Sequence, residues 1–143
     1  MYCSVEDLRQ AIGGLTDTNK KASTEFLTDL ITRKTAIINS FIGRRFIVPI
    51  DSTKSPEATE ILRDICIDLC RENVSVKLGV STTNPDGTQV PVGADLTKKS
   101  LMRLGEIANG KFNLLDAPYC QDDNCNLFSS GIYDSDEVDG IPV

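Results

Sequence analysis

Cysteine is the residue type in this sequence best suited to chemistry, because a thiolate binds metals and attacks electrophiles. Of the five cysteines, Cys66 and Cys70 lie four residues apart in an apolar stretch, and Cys120 and Cys125 lie near the end of the chain. Four thiolates could hold zinc in a tetrahedron. The spacings are wider than the Cys-x2-Cys of zinc knuckles, however, and a buried free cysteine behaves as a small hydrophobe. We therefore predict no metal site and no cofactor.

Apart from cysteine, the sequence contains few candidate catalytic groups. The sequence contains no histidine, which removes Ser-His-Asp and Cys-His catalysis and every His-ligated metal. Gly13-Gly14 lacks the Lys-Ser/Thr and the helix start of a phosphate-binding loop. No pair of carboxylates stands out as an acid and base couple. We predict that the protein is not an enzyme and has no catalytic residues.

The charge is unevenly distributed along the chain. There are 15 Lys and Arg against 21 Asp and Glu, a net charge of −6, and residues 116–143 hold seven of the acids and no base. A nucleic-acid reader normally carries a basic surface, so specific binding to DNA or RNA is not expected. The pairs Lys20-Lys21, Arg44-Arg45 and Lys98-Lys99 are predicted to be solvated surface or subunit contacts.

Neither end of the chain indicates a membrane or an export route. The N-terminus lacks the positive region and apolar core of a signal peptide, and no apolar run is long enough for a membrane helix. An odd number of cysteines in such a chain predicts mostly reduced thiols and no disulfide framework. The expected location is a cytosol.

The chain length of 143 residues and the spacing of apolar residues predict one domain with four helices. Each helix is predicted from an apolar face and a closing glycine, and the first and third also from a capping signal. The first begins after Ser4 with Asp7 and ends at Gly13-Gly14; the second runs from about Thr24 to Ile42; the third begins at Ser55-Pro56-Glu57 and ends at Gly79; the fourth begins near Asp95 or Thr97 and ends at Asn109-Gly110. The predicted class is all-α, a small four-helix bundle.

Three segments depart from this pattern. Phe46–Ile50 is an extended apolar run in which Pro49 forbids a helix. Residues 80–94 form a long polar loop around the turn Asn84-Pro85-Asp86-Gly87. Residues 116–143 form an acidic extended tail with short apolar groups, Leu127-Phe128, Ile132-Tyr133 and Ile141-Pro142-Val143.

We predict a helical domain over 1–115 and a tail over 116–143 that orders on a partner. Removal of the tail is expected to change stability by no more than about 1 kcal/mol. The alternative is a solubilising appendage.

Four stretches, in order, resemble one family. Met1-Tyr2-Cys3-Ser4-Val5-Glu6-Asp7-Leu8 resembles the opening of the small Mu-like phage head–tail connector proteins. The helix end, Gly-Arg-aromatic turn and Val-Pro-Ile exit of residues 37–50 are similar to theirs. The helix of residues 62–71 and the closing Gly-Lys motif of residues 104–114 complete the resemblance, which covers roughly residues 1–115.

The resemblance implies a structural virion protein. Such an adaptor forms a ring, expected to be twelve-fold, beneath the portal protein. It extends the DNA channel and offers a docking surface to a downstream stopper or tail-terminator protein. DNA would pass without specific binding, no membrane is involved, and the location is the head–tail interface of the virion, with the host cytoplasm during assembly. The predicted subunit or partner interface is Arg44, Arg45, Phe46, Ile47, Val48, Pro49, Ile50, Leu127, Phe128, Ile132, Tyr133, Ile141 and Val143.

Two other hypotheses stay open at this point. One is a small cytosolic helical regulatory or interaction module, encoded by a phage, whose acidic tail binds a partner or mimics nucleic acid. The other is a thiol-dependent enzyme or zinc protein that uses the cysteines. Mimicry needs acids on a rigid surface, whereas a ring component needs a tail that orders only on assembly. Cysteines that prove reactive or metal-bound would distinguish the thiol-dependent enzyme or zinc protein from the other two hypotheses.

Overall fold

A computed structural model describes residues 1–12 and 21–120 of the chain. The described part contains four helices and one short hairpin. In chain order these are α1 (Val5–Ala11), α2 (Thr24–Ile42), α3 (Pro56–Leu78), β1 (Ser81–Thr83), β2 (Gln89–Pro91) and α4 (Ala94–Ala108). The predicted four-helix class is confirmed, with the hairpin as a minor addition. The glycines predicted to end α1, and the tail beyond residue 120, lie outside the described residues.

The first two helices begin as their sequences predict. The Asp7 backbone N–H donates to Ser4 Oγ at 3.1 Å, and the Ser4 N–H donates to Asp7 Oδ2 at 2.8 Å. This capping box satisfies two backbone donors that a helix start otherwise leaves without partners. At α2, the Phe26 N–H donates to Ser23 Oγ at 3.2 Å. Local sequence is therefore sufficient to place both helix starts.

The core lies where α3 packs between α2 and α4, with α1 covering one end. Its fully buried large side chains recur at three- and four-residue spacing along each helix, as an apolar helix face requires. They include Leu27, Ile31, Ile38 and Ile42 of α2, Leu62, Ile65 and Leu69 of α3, and Leu104 and Ile107 of α4. This packing holds α3 at the centre of the molecule, in contact with every other helix.

The segment 80–94, predicted as a polar loop, contains an exposed antiparallel hairpin. Ser81 pairs with Pro91 and Thr83 with Gln89. The predicted turn is confirmed, since the Gly87 N–H donates to Asn84 O at 2.9 Å. Strands form because this turn reverses the chain. They were not predicted because the polar run Ser81–Thr83 lacks the alternation of apolar and polar residues that indicates a strand. At the base of the hairpin, Gly93 lies so close to α3 that an added Cβ would be 2.9 Å from Arg71 Cβ.

The start of α3 departs from the sequence prediction. Ser55 occupies the N-cap position but its side chain caps no backbone donor; its hydroxyl instead donates to Asp116 O at 2.8 Å. The Asp116 carboxylate accepts from the N–H groups of Glu57 and Ala58, at 2.8 and 2.9 Å. A side chain about 60 residues away along the chain thus does the work of the N-cap side chain.

Residues 116–120 consequently contact the helical body. Besides the Asp116 cap, Ala117 is buried, and the Cys120 N–H donates to Arg45 O at 2.8 Å. The division of the chain at residues 115 and 116 stays a prediction, but the first residues of the predicted tail take part in holding α3. Removing the chain from residue 116 onward would therefore destabilise the helices, contrary to our expectation that stability changes little.

We predict that Asp116→Ala lowers the free energy of unfolding by about 1–2 kcal/mol, because two backbone donors of α3 lose their acceptor. Urea denaturation followed by circular dichroism measures this loss. Asp116→Asn keeps one acceptor oxygen and should lose less. Asp64→Ala, at an exposed position within α3, is the matched control and should change stability by less than about 0.5 kcal/mol. Equal stability of Asp116→Ala and wild type would contradict the role of this cap.

Candidate interaction surface

The chain leaves α2 through a tight turn that sets the direction of Phe46–Ile50. The N–H groups of Arg45 and Phe46 both donate to Ile42 O, at 3.0 and 2.9 Å. The segment then pairs with the end of the described chain, as the Ile47 N–H donates to Pro118 O at 2.9 Å. The predicted extended run is thus held as one side of a short antiparallel contact, an arrangement in which successive side chains point in opposite directions.

This alternation corrects part of the predicted interface. Phe46 is 0% exposed and Ile50 6% exposed, so both belong to the core, and Val48 packs against that core. The Ile50 N–H donates to the Tyr2 hydroxyl at 3.2 Å. Ile47 and Pro49, which alternate with them, are exposed. Only every second residue of this run can therefore contact a neighbouring protein.

Arg45 was also predicted at the interface, and the structure places its guanidinium inside the protomer. Arg45 Nη1 donates to Ile107 O at 2.7 Å, and Nη2 donates to Asn113 Oδ1 at 3.0 Å. Ile107 O is one of the last carbonyls of α4, which have no partner within the helix. A cation at this end also interacts favourably with the helix dipole. Arg44, by contrast, is exposed.

Aromatic contacts complete the packing around Arg45. Its Cζ lies 5.2 Å from the centre of the Phe46 ring and 5.5 Å from that of Tyr119. The two rings are 4.9 Å apart, centre to centre, with an interplanar angle of 33°. Cation–π attraction and ring packing therefore hold Tyr119, which sequence analysis did not single out, against the end of α2.

The exposed residues that follow α2 and those near the end of the described chain form one surface. We call it the exit surface and define it as Arg44, Ile47, Pro49, Pro118 and Tyr119. Ile47 is 50% exposed and Tyr119 is 42% exposed. The backbone beneath them is fixed by hydrogen bonds on both sides, so their positions are set before any partner binds. Such a preorganised apolar surface with one cation suits protein binding. The remaining predicted interface residues, Leu127, Phe128, Ile132, Tyr133, Ile141 and Val143, lie outside the described residues.

The cysteines do not form the four-thiolate set considered above. Cys66 and Cys70 lie in the core with Cys3, whereas Cys120 lies beside Arg45 at the exit surface and is disulfide-bonded. The other three described cysteines are free thiols, in agreement with the expectation of mostly reduced thiols; Cys125 lies outside the described residues. Among residues 1–12 and 21–120, no group of three or more His, Cys, Asp and Glu side chains is arranged to hold a metal ion. No helix in the same ranges has the length and apolar character to cross a membrane.

The core thiols perturb one another. Cys3 Sγ donates to Cys66 Sγ at 3.3 Å. Hydrogen bonds from Cys3 and Cys70 lower the pKa of the Cys66 thiol, because they stabilise its thiolate. Donation to Cys66 in turn raises the pKa of Cys3. Cys3 had no signal in the sequence, since its partner is 63 residues away.

Comparisons of the chain with models of protein families, with curated proteins and with solved structures find no match. The connector family named from the four sequence stretches therefore stays a prediction.

We predict that Arg45→Lys lowers the free energy of unfolding by about 1–3 kcal/mol. A lysine keeps the positive charge but cannot bond Ile107 O and Asn113 Oδ1 with one rigid planar group. Thermal or urea denaturation measures the loss. The adjacent Arg44→Lys is the matched control and should stay within about 0.5 kcal/mol of wild type, as expected for an exposed side chain. If the two variants lose equal stability, the assignment of Arg45 to the end of α4 is wrong.

Proposed function

We propose that this chain is a structural virion protein, a head–tail connector that assembles as a ring beneath the portal of a phage head. The ring prolongs the DNA channel and gives the next connector or tail component a surface on which to dock. No chemical reaction is part of this function. The proposal starts from the sequence resemblance to Mu-like connectors and draws further support from how the resembling stretches are arranged in the fold.

The observation that carries the proposal is the contact between two of these stretches. The resembling stretch 37–50 contributes Arg45, which is a departure from the family's Gly-Arg-aromatic pattern, and the Gly-Lys motif after α4 contributes Gly110, against which the guanidinium lies. A Cβ on Gly110, whose φ is +83°, would be 3.5 Å from Arg45 Cζ. Motifs that resemble one family at separate places in the sequence thus form one structural unit. Unrelated chance similarities would have no reason to meet in space.

The exit surface supports assembly with other proteins. A closed ring needs one face of each subunit to complement a different face of the next. Ile47 and Tyr119 offer apolar area, and Arg44 adds a charge, on a backbone held in place by Pro118 and Arg45. A connector of this kind binds through a rigid surface of the body, while the acidic tail is proposed to reach the portal or the adjacent subunit.

The charge distribution fits a protein through which DNA slides. The chain has a net charge of −6, and Arg45 directs its guanidinium at Ile107 O and Asn113 rather than at solvent. An acidic balance repels phosphate, which suits a channel that must not retain the genome.

We therefore expect the purified chain not to retain duplex DNA at about 150 mM salt, since few counterions would be released on binding. A gel-shift titration measures this, with a basic helical protein of similar size as the positive control. Retention with a submicromolar dissociation constant would contradict the channel function.

The docking role of the exit surface is tested by Ile47→Asp in a phage that encodes this chain. Burying an isoleucine side chain contributes about 1.5–3 kcal/mol, so its loss should weaken each contact by at least about tenfold. We expect DNA-filled heads without attached tails in electron micrographs, and a fall in infectious titre. The isolated variant should unfold at the wild-type midpoint, because Ile47 is half exposed.

Val76→Asp is the matched control. Val76 is 61% exposed and lies near the end of α3 opposite the Asp116 cap. A normal titre for Ile47→Asp, or an equal loss for both variants, would exclude the exit surface as the specific docking site. Absence of the chain from purified virions by mass spectrometry would overturn the connector function itself and favour the regulatory module.

A further inference from the structure

Two thiols from distant parts of the chain meet inside the core. Cys3 belongs to the N-terminal arm, residues 1–4, which precedes α1, and Cys66 lies in the middle of α3. Their sulfur atoms are 3.3 Å apart, about 1.3 Å more than the length of a disulfide bond. Both side chains are buried, and both are free thiols.

The arm that carries Cys3 is held by the burial of Tyr2 and Cys3 and by side-chain hydrogen bonds. The Tyr2 N–H donates to Thr35 Oγ1 at 3.4 Å, and the Tyr2 hydroxyl bonds Asn39 Oδ1 of α2 and the Ile50 N–H. Met1 is exposed. The arm has no helix or strand of its own before α1, and a segment of this kind opens at a lower free energy than the helices it covers. Its opening would uncover Cys3 and Cys66 together, which gives a small oxidant access without unfolding of the bundle.

We propose that Cys3 and Cys66 form a redox-sensitive clip: under oxidising conditions a disulfide joins the N-terminal arm to α3, and under reducing conditions only non-covalent contacts hold the arm, as in this structure. The clip is a modification site of the protomer and does not depend on the connector function. Cys70, one helical turn after Cys66, is a neighbouring thiol and not a member of the bond.

The oxidant is a low-molecular-weight disulfide, and the reaction is thiol–disulfide exchange. The Cys66 thiolate attacks one sulfur of the small disulfide, and one small thiolate leaves and takes the proton that Cys66 gave up. The Cys3 sulfur, once deprotonated, attacks Cys66 Sγ, the mixed bond breaks, and the second small thiolate leaves with the Cys3 proton. Two protein thiols are oxidised and one small disulfide is reduced to two thiols.

The thiol environment assigns the order of these steps. Hydrogen bonds from Cys3 and from Cys70 lower the pKa of Cys66. The one from Cys70 lies within α3 and persists when the arm opens, so Cys66 stays the more readily ionised thiol of the pair. Thiolate, not thiol, is the nucleophile. Cys66 therefore reacts first and Cys3 resolves the mixed disulfide. Closing a loop of more than 60 residues restricts the unfolded chain, so the oxidised protein should unfold at a higher temperature than the reduced protein.

The test uses the full chain in native buffer with hydroxyethyl disulfide, followed by alkylation and peptide mapping by mass spectrometry. We expect a crosslinked pair of peptides containing Cys3 and Cys66, with a mass about 2 Da below the sum of the reduced peptides. Dithiothreitol should reverse the link. The unfolding midpoint should rise on oxidation and return on reduction in a Cys120→Ser background, in which the Cys120 disulfide cannot contribute.

Cys70→Ser is the control that keeps the proposal falsifiable even if variants at Cys3 or Cys66 do not fold. It should still form the crosslink and show the same rise in midpoint, while Cys3→Ser and Cys66→Ser should show neither. A link between Cys66 and Cys70, a link only after denaturant is added, or mixed disulfides that never resolve would each overturn the proposal. Loss of the link in a folded Cys70→Ser variant would do so too.

Discussion

The structure depends most on how the exposed backbone donors at the start of α3 are satisfied. A helix leaves its first N–H groups without internal partners, and α3, like α2, contacts every other helix. The Asp116 carboxylate accepts from the N–H groups of Glu57 and Ala58. Because Asp116 follows α4, the cap can form only when α4 and the segment after it are in place. The start of the central helix is thus coupled to the end of the described chain.

The C-terminal end of α4 is also stabilised by a residue from outside the helix. The last carbonyls of α4 need donors, and Arg45, just beyond α2, donates to Ile107 O. The two contacts tie the ends of α2, α3 and α4 to one another through residues outside the helices. The pairing of residues 45–47 with 118–120 is a consequence, and it brings Ile47 and Tyr119 side by side. The proposed docking surface therefore depends on the same contacts that stabilise the bundle. Substitutions that test docking should for this reason be made at its exposed side chains.

The N-terminal arm is attached by a third long-range contact. The Tyr2 hydroxyl links α2 to the segment after it, through Asn39 and the Ile50 N–H, and Cys3 lies against Cys66 of α3. The arm thus contacts both helices that form the centre of the core. In this structure the thiols are free and the arm is held by non-covalent contacts. The proposed disulfide would make its contact with α3 covalent.

Much of the architecture follows from local sequence, because helix starts and apolar faces depend on residues within a few positions of each other. Ser4 and Asp7 cap α1 as predicted, α2 spans the predicted Thr24 to Ile42, and the turn at Asn84–Gly87 forms. The roles of Arg45, Phe46, Ser55 and Asp116 were not visible in the sequence. Each depends on a partner contributed by another segment, and composition and periodicity carry no information on which distant residue will lie within hydrogen-bonding distance. The same reason explains the core thiols: Cys66 and Cys70 share a helix face by their spacing, but only the packing of the chain brings Cys3 to them.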